Sequence, residues 1–349
     1  MKQIRIEQRP IGRLHSPYII AELSANHNGD LERAKQLILQ AKKAGADAVK
    51  LQTYKPDTIT LNSDREEFQI KGGLWDGYNL YKLYQWAHTP WEWHKPLFDY
   101  AKKQGITIFS SPFDKTAIDL LEDLNAPAYK IASCELIDLP LIRYAATTGK
   151  PLIISTGMGT LEEISEAVET ARQAGCKELA LLKCVSGYPA PPEEYNLNTL
   201  PDLEKRFDLV TGLSDHTLNN TTAITSVALG ASIIEKHFTL NRADGGPDDS
   251  FSLEPHDLKQ MCEDSRIAWQ ALGQINYQPV PSELGTLKHR RSLYFVRALA
   301  AGETLTPDAI RSVRPANGLA PKYLEQLIGK RLKRSVAINT PVSWDDLEA

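Results

Sequence analysis

Cysteine is scarce in this sequence, and long apolar runs are missing from it. The four cysteines, Cys134, Cys176, Cys184 and Cys262, show no C-x-x-C spacing, which argues against a disulfide framework or a zinc knuckle and fits a reducing compartment. No stretch approaches the roughly 18 apolar residues of a membrane span. The N-terminal residues MKQIRIEQRPIGRLHSPYII lack the apolar core of a signal peptide. We therefore expect a soluble, cytoplasmic protein without a membrane partner.

An excess of basic residues is also missing. The formal net charge is -4, whereas general nucleic-acid binders are usually basic, so we expect no nucleic-acid partner. An anionic ligand must then be held by local cations and not by the field of the whole protein. Apolar residues make up 42% and charged residues 24% of the 349 positions, which is ordinary for a globular protein. The length fits one large domain plus a small one.

Eight short apolar runs alternate with amphipathic stretches along the first three quarters of the chain. The runs are PYIIAEL (17–23), DAVKLQT (47–53), TIFSSPF (107–113), AYKIAS (128–133), PLIISTG (151–157), LALLKCV (179–185), DLVTGLS (208–214) and SIIEKHF (232–238). One helical stretch opens with a capping box, Thr160 and Glu163, and ends at Gly175. The alternation predicts an α/β fold, a (β/α)8 TIM barrel over residues 1–273. A doubly wound open sheet is the alternative, and it would place its ligand at a single switch point.

Two segments depart from this alternation. Residues 54–93, here called the aromatic insertion, carry Trp75, Tyr78, Tyr81, Tyr84, Trp86, Trp91 and Trp93. Long insertions in barrels are usually functional loops, although a packing flap without ligand contact is the alternative. Residues 274–289 are rich in proline, polar and basic residues and predict a linker. Residues 290–349 predict a small unit of short strands and one short helix, too small to be very stable alone.

Polar side chains stand at the carboxyl ends of all eight predicted strands. They are Glu22, Asn26, His27, Asn28, Lys50, Gln52, Ser110, Ser111, Lys130, Ser133, Ser155, Thr156, Ser186, Tyr188, Ser214, His216, Glu235 and His237. Catalytic groups of such barrels come from these ends. A single polar residue could be satisfied within the barrel, but an unpaired buried polar group is costly, and eight polar strand ends predict a catalytic site.

His216 and His237 end neighbouring strands, so their rings can converge. Imidazole suits transition metals, and two protein ligands leave positions open for water and substrate. Histidines can also act as general acid or base, and this alternative stays open. Glu22 and Glu235 are nearby carboxylates available as a base or as partners of the histidines.

Lys50 and Lys130 predict an anion site. The serines around them, Ser111, Ser133, Ser155 and Ser214, can donate hydrogen bonds to phosphate or carboxylate oxygens. The structural alternative is that one lysine pairs with Glu22 across the barrel, and both can hold together.

Several motifs, in order, resemble the sialic acid synthase family. They are AELSANHNGD, DAVKLQTYKPD, FSSPFD, PAYKIASCE, ISTGMGTLEEI, GLSDHT and IIEKHFT, and VRPANGLAP resembles part of the C-terminal antifreeze-like (SAF) domain of that family. The resemblance covers nearly the whole chain. It implies a transferase that condenses phosphoenolpyruvate with the open-chain aldehyde of an acetamido sugar, giving a nine-carbon 2-keto acid and phosphate.

The resemblance also implies a role for each matching residue. A divalent metal, often Mn2+ with Mg2+ or Co2+ as alternatives, would be held by His216 and His237 and polarise the sugar aldehyde. Glu22 would be the base for the water that attacks C2 of phosphoenolpyruvate. Phosphoenolpyruvate would be bound by Lys50, Ser111, Lys130, Ser133, Ser155, Ser186 and Ser214. The sugar would be bound by Gln52, Tyr188, Asp248 and, from the partner chain of a domain-swapped homodimer, Arg314.

The choice of sugar depends on finer differences. The chain has SGYP where N-acetylneuraminate synthases usually have Asn-x-Tyr-Pro, so Ser186 replaces an asparagine. LSANHNG, the aromatic insertion and DSFSLEP resemble the pseudaminic acid synthase branch, whose substrate is 2,4-diacetamido-2,4,6-trideoxy-altrose. Aromatic rings suit a methyl group and N-acetyl groups. N-acetylneuraminate and legionaminic acid synthases are the alternatives within the family.

Two hypotheses that assign the protein to other functional classes stay open. A metal-dependent barrel aldolase or isomerase would need the same histidines and lysines, but would release no phosphate. A non-catalytic ice-binding or carbohydrate-binding protein would need no buried base or metal, and loss of the histidines would leave its binding intact.

Overall fold

Eight parallel strands close into a barrel in the computed structural model, which describes residues 2–348. The first ten strands are β1 (Ile4–Ile6), β2 (Arg9–Ile11), β3 (Tyr18–Glu22), β4 (Ala48–Thr53), β5 (Thr107–Pro112), β6 (Tyr129–Ile131), β7 (Leu152–Ser155), β8 (Leu179–Cys184), β9 (Val210–Asp215) and β10 (Ile233–His237). The order around the barrel is β10, β3, β4, β5, β6, β7, β8, β9. The eight predicted strands are the eight barrel strands, which confirms the predicted TIM barrel and not the open sheet.

Helices follow the barrel strands and begin and end at residues suited to those places. They are α1 (Leu31–Ala44), α2 (Pro56–Ile59), α3 (Leu80–Ala87), α4 (Trp91–Gln104), α5 (Lys115–Asp123), α6 (Leu139–Thr147), α7 (Leu161–Gln173), α8 (Thr199–Phe207), α9 (Thr221–Ala228) and α10 (Pro255–Leu272). Thr160 and Glu163 form the predicted capping box of α7, with N···O distances of 3.3 and 2.8 Å. Within residues 2–348, no helix is both long and apolar enough to cross a membrane.

The barrel interior is apolar at one end and polar at the other. Inward positions of a strand recur every second residue, and the lower ones are Ile20, Ala48, Phe109, Ala128, Ile153, Ala180, Leu182, Val210 and Ile233, which pack in one cluster with Ile4, Ile6 and Ile11 of the first two strands. The antiparallel pair β1–β2 therefore closes the apolar end. The next inward positions carry polar side chains at the carboxyl ends of the strands.

The aromatic insertion contains two helices, α2 and α3, and a 3-10 turn at Glu66–Phe68. Asn79 begins α3, because its side-chain oxygen accepts hydrogen bonds from the backbone of Tyr81 and Lys82. Helix α4 begins at Trp91, so Trp91 and Trp93, which the sequence pattern placed in the insertion, belong to this helix.

The chain divides between Gly273 and Gln274 into two compact units. The second unit holds α11 (Pro281–Leu284), β11 (Ser292–Phe295), β12 (Ile310–Val313) and α12 (Leu324–Leu327). The two strands pair antiparallel, and isolated bridges connect other segments of the unit, for example Leu299 with Val336. Its own core includes Leu293, Phe295 and Leu332, all fully buried.

Candidate active site

The structure gathers the polar strand ends at one mouth of the barrel. In the parallel register, Glu22 of β3 stands beside Lys50 of β4 on one side and His237 of β10 on the other. Ser214 of β9 stands beside Glu235 of β10. Residues two apart on a strand share a face, so the predicted residues of neighbouring strands meet above the apolar interior, where barrel active sites form.

Two lysines and two glutamates, Lys50, Lys130, Glu22 and Glu235, form a buried charge cluster. The Nζ atom of Lys50 lies 2.9 Å from Oε2 of Glu22 and 3.2 Å from Oε1 of Glu235. The Nζ atom of Lys130 lies 3.1 Å from the same oxygen of Glu235. Lys50 also donates a hydrogen bond of 3.1 Å to the hydroxyl of Ser111. Lys50 therefore pairs with Glu22, as the structural alternative predicted. Lys50 and Lys130 nevertheless lie close together, as an anion site requires.

Burial and ion pairing act in opposite directions on these four groups. Desolvation disfavours the ionised form of Glu235, but Lys130 and Lys50 outweigh it and lower the pKa of Glu235. Desolvation outweighs Lys50 at Glu22 and raises the pKa of that carboxyl. It also lowers the pKa of Lys130, whereas Glu22 and Glu235 overcome it and raise the pKa of Lys50. Glu22 is therefore the better proton acceptor of the two carboxylates.

Serine hydroxyls converge at the ends of β6, β7 and β8. A Cβ atom on Gly157 would lie 2.6 Å from Oγ of Ser133 and 2.5 Å from Oγ of Ser186, so these hydroxyls approach a site that only glycine leaves open. Within residues 2–348, the buried hydroxyls of Ser155 and Ser186 have no hydrogen-bond partner. Buried polar atoms without a partner are rare. We call Gly157, Ser133, Ser155 and Ser186 the hydroxyl cradle. Its hydroxyls suit the oxygens of a phosphate or carboxylate ligand.

His216 and His237 follow neighbouring strands, and their ring centroids are 5.3 Å apart. Nδ1 of His216 lies 2.7 Å from the carbonyl oxygen of Val185, which assigns a proton to Nδ1 and leaves Nε2 as the electron-pair donor. Nδ1 of His237 is buried and has no hydrogen-bond partner in the described part of the chain. Desolvation, His216 and Lys50 lower the pKa of His237, so this ring is neutral near pH 7.

The two imidazoles fit a divalent cation by their chemistry and spacing. Burial opposes a charge on His216, yet Cys184 and the carbonyl of Val185 raise its pKa, so protonation of this ring would compete with binding of a cation. Among residues 2–348, no group of three or more His, Cys, Asp or Glu side chains is arranged to hold a metal ion. A cation bound by these two rings would keep coordination positions for water or substrate.

A cavity of about 480 Å³ extends from His237 to the aromatic insertion. Gln52, Tyr188 and Asp248 line its polar end. The ring of Tyr188 packs on His216 with 4.3 Å between centroids. Burial raises the pKa of Asp248 to about 6. The structure therefore brings the three barrel residues predicted for the sugar together with the two histidines.

Aromatic rings form the other end of this cavity. Tyr54 and Tyr84 line it and meet edge to face, with 5.6 Å between ring centroids. Trp75 donates a hydrogen bond of 2.9 Å from Nε1 to the carbonyl oxygen of Pro247, and its ring lies 5.7 Å from that of Tyr188. The aromatic insertion thus supplies a wall of the cavity, where rings can contact apolar groups of a ligand.

Comparison of the chain with protein families and with known relatives agrees with a barrel that carries an active site at its mouth. The model of the NeuB family matches residues 37–277, and that of the SAF domain matches residues 290–348. The chain belongs to the NeuB family. It is 45% identical to a pseudaminic acid synthase of Helicobacter pylori, over 96% of this chain and 99% of the relative. It is 35% identical to an N,N'-diacetyllegionaminic acid synthase of Legionella pneumophila, over 98% and 97% of the two chains.

A solved NeuB-like structure shares the fold. It is an N-acetylneuraminic acid (sialic acid) synthetase from Leptospira borgpetersenii, crystallised in complex with citrate. The TM-score is 0.73 at 29% sequence identity, and the match covers 82% of this chain and 95% of the other. The predicted SAF unit is likewise confirmed by the match to residues 290–348.

In this NeuB-family chain, Arg314 lies in the second unit and is exposed. It lines a cavity of about 570 Å³ there together with His289, Arg290 and Arg291. Glu283 also lines this cavity, so its wall carries one acidic side chain among mainly basic ones and suits a polar or anionic group. Its predicted reach to the sugar of a second subunit stays a prediction.

The sequence patterns assign no role to Ser24 or Glu135, which the structure places at the cavity. The hydroxyl of Ser24 donates to Oδ2 of Asp248. Burial raises the pKa of Glu135 to about 7, and its buried Oε2 has no hydrogen-bond partner within residues 2–348. Both residues stand in motifs quoted above, LSANHNG and PAYKIASCE, but their side-chain directions follow from loops that carry no periodic signal.

Proposed function

We propose that this NeuB-family protein condenses phosphoenolpyruvate with 2,4-diacetamido-2,4,6-trideoxy-β-L-altropyranose and water, giving pseudaminic acid and phosphate. One observation carries the reaction class. The hydroxyl cradle, with two buried hydroxyls that have no hydrogen-bond partner among residues 2–348, lies at the same barrel mouth as two buried lysines and two histidines. An anionic substrate and a carbonyl substrate can therefore meet there.

The charge cluster and the hydroxyl cradle would bind phosphoenolpyruvate. The hydroxyls of Ser133, Ser155 and Ser186 would donate to its oxygens. Lys50 and Lys130 supply the positive charge, and both now face Glu235, at 3.2 and 3.1 Å. The entering anion would share these lysines with that carboxylate, so binding depends on the hydroxyls as well as on charge.

Glu22 would act as the base. Its Oε1 accepts hydrogen bonds from the backbone of Ser24 at 3.0 Å and from Gln52 at 3.1 Å, which hold the carboxylate in place. Its raised pKa favours proton uptake. Glu22 would take a proton from the water whose oxygen bonds to C2 of phosphoenolpyruvate. C3 would bond to the aldehyde carbon of the sugar as the aldehyde C=O opens, and the aldehyde oxygen would take up a proton to become a hydroxyl. The hydroxyl that water adds to C2 would lose its remaining proton and become the 2-keto group as the bond from C2 to the phosphate oxygen breaks and releases phosphate.

His216 and His237 would hold the divalent cation, Mn2+ or alternatively Mg2+ or Co2+. When bound, such a cation supplies Lewis acidity toward the sugar aldehyde. The ring of Tyr188 packs on that of His216, with 4.3 Å between the ring centroids, and would restrict the access of water from this side.

The identity of the sugar is supported by the relatives and by the aromatic wall. The Helicobacter pylori relative, at 45% identity, is named a pseudaminic acid synthase, and the legionaminic relative is 35% identical. A 6-deoxy sugar with two acetamido groups presents a methyl and two acetyl methyls. Trp75, Tyr54 and Tyr84 can cover these groups without a hydrogen-bond requirement.

We also propose a domain-swapped homodimer in which Arg314 acts in the site of the partner chain. Mixing Arg314→Ala with His237→Ala tests this. If Arg314 acts across subunits, the mixed dimer contains one site without either change, and activity returns on mixing. No return of activity after verified subunit exchange would contradict the swap.

Phosphate release tests the proposed function. The metal-stripped protein is given phosphoenolpyruvate and, in separate reactions, the diacetamido-trideoxy-altrose, N-acetylmannosamine or the legionaminic precursor, each with and without Mn2+. We expect phosphate release only in the reaction that contains both the diacetamido-trideoxy-altrose and Mn2+. Release with another sugar would overturn the choice of sugar but keep the reaction. No release with any sugar would overturn the reaction and favour an aldolase or a carbohydrate-binding protein.

A further inference from the structure

Ser24 connects the proposed base to the residues proposed to bind the sugar. We propose that its hydroxyl is a positioning group that fixes Gln52 and Asp248 for the sugar, an inference that rests on the proposed function. Ser24 follows β3 and is 3% exposed, and its backbone N–H donates to Oε1 of Glu22 over 3.0 Å. The side chain therefore sits directly beside the carboxylate of Glu22 and at the cavity.

The hydroxyl of Ser24 fixes the amide of Gln52. A primary amide has two N–H donors, and Nε2 of Gln52 uses them for Oε1 of Glu22 at 3.1 Å and Oγ of Ser24 at 3.0 Å. Rotating the amide by half a turn would place its oxygen against the carboxylate of Glu22, which is repulsive. The carbonyl oxygen of Gln52 is therefore held away from both groups, available to accept a hydrogen bond from a sugar hydroxyl or N–H.

The same hydroxyl fixes Asp248. Because Oγ of Ser24 accepts from Gln52, its single hydrogen is free for Oδ2 of Asp248, to which it donates. That carboxylate oxygen lies 3.8 Å from Nδ1 of His237. One hydroxyl thus joins strand β4, the segment after β3 and the loop after β10. Without it, Gln52 loses an acceptor and Asp248 loses a donor.

The backbone of Ser24 indicates that this side chain is kept for its hydroxyl. Its φ is +42°, in the left-handed region that non-glycine residues rarely adopt. Glycine would take this conformation without strain. A position needed only for the turn is thus better served by glycine, whereas a position needed for its hydroxyl requires serine despite the strain.

The test compares Ser24→Ala and Ser24→Gly with the wild type by steady-state kinetics and thermal unfolding. We expect the KM for the sugar to rise roughly tenfold in both variants, the size of a lost hydrogen bond to a charged group. The KM for phosphoenolpyruvate should change less than about twofold, and Ser24→Gly should unfold no earlier than Ser24→Ala. Ser226→Ala is the matched control, because it removes a buried hydroxyl that bonds to Ala223 on α9, and it should leave both KM values unchanged.

The outcomes separate this inference from the proposed function. An active wild type whose sugar KM is unchanged in both Ser24 variants overturns the inference alone. Equal increases in both KM values would also overturn it, since they indicate a general loss of structure at the site. A wild type that releases no phosphate with any sugar overturns the proposed function and the inference together.

Discussion

Replacing Glu235 by glutamine removes one charge from the charge cluster and almost no volume. Oε1 of Glu235 lies 3.1 Å from Nζ of Lys130, 3.2 Å from Nζ of Lys50 and 3.3 Å from the hydroxyl of Ser214. In Glu235→Gln, Lys50 keeps its ion pair with Glu22, whereas Lys130 loses the carboxylate with which it pairs among residues 2–348. Breaking a buried ion pair by removing one partner costs about 3–5 kcal/mol, because the other charge stays desolvated.

This cost should be visible in thermal unfolding. In a domain of this size, about 3–5 kcal/mol corresponds to a fall of roughly 5–10 °C in the unfolding temperature of the barrel. Phosphoenolpyruvate should restore part of the loss, because its negative charge replaces that of Glu235 beside the lysines. The rise in unfolding temperature at saturating phosphoenolpyruvate should therefore be larger in Glu235→Gln than in the wild type.

Glu32→Gln is the matched control. It breaks an exposed pair with Lys35, in which Nζ and Oε1 are 2.6 Å apart. Exposed pairs contribute less than about 1 kcal/mol, so this variant should unfold close to the wild-type temperature. A Glu235→Gln protein that unfolds like the wild type would refute the reasoning about the charge cluster. So would a smaller stabilisation by phosphoenolpyruvate in the variant.

Three further changes probe separate parts of the site. His237→Ala should weaken Mn2+ binding, measured by electron paramagnetic resonance of the free ion, by more than roughly tenfold; unchanged binding would mean that the ring is no ligand. Gly157→Ala should raise the KM for phosphoenolpyruvate more than that for the sugar, since the added methyl would stand within 2.6 Å of the hydroxyls of Ser133 and Ser186. Glu135→Gln should unfold at a higher temperature than the wild type at pH 8 but not at pH 5. Burial raises the pKa of Glu135 from 4.5 to about 7, so the stability from its bound proton is complete below 4.5 and lost as the pH passes 7; a constant difference would contradict this.

Local sequence signals were sufficient for the barrel. Each barrel strand is a short run of β-branched and other apolar residues, and polar starts such as Thr160 with Glu163 fix where a helix begins. Alternation also placed Lys50 and Gln52 on one face of β4, two residues apart. The pair β1–β2 carries no such signal. Its strands have three residues each, and Pro10 interrupts the second, so only packing against Ile20 and Phe109 reveals its place.

The contacts within the site depend on residues far apart in the chain. Strand ends predict that Lys50, Glu22 and Glu235 approach one another, but not that Lys50 contacts both carboxylates. Ser24 meets Asp248 across 224 residues, through a loop whose course has no period to read. Sequence patterns therefore give the residue types at the barrel mouth, whereas tertiary packing determines their partners.

The central claim is that phosphoenolpyruvate loses its phosphate by cleavage of the bond between C2 and the bridging oxygen. The most direct measurement supplies phosphoenolpyruvate with ¹⁸O in that bridging position, together with the diacetamido-trideoxy-altrose and Mn2+. Phosphorus NMR of the phosphate and mass spectrometry of the keto acid then follow the label. The account predicts that the label leaves with phosphate and that the nine-carbon keto acid carries oxygen from water. Label retained in the organic product, or a keto acid formed without phosphate, would contradict it.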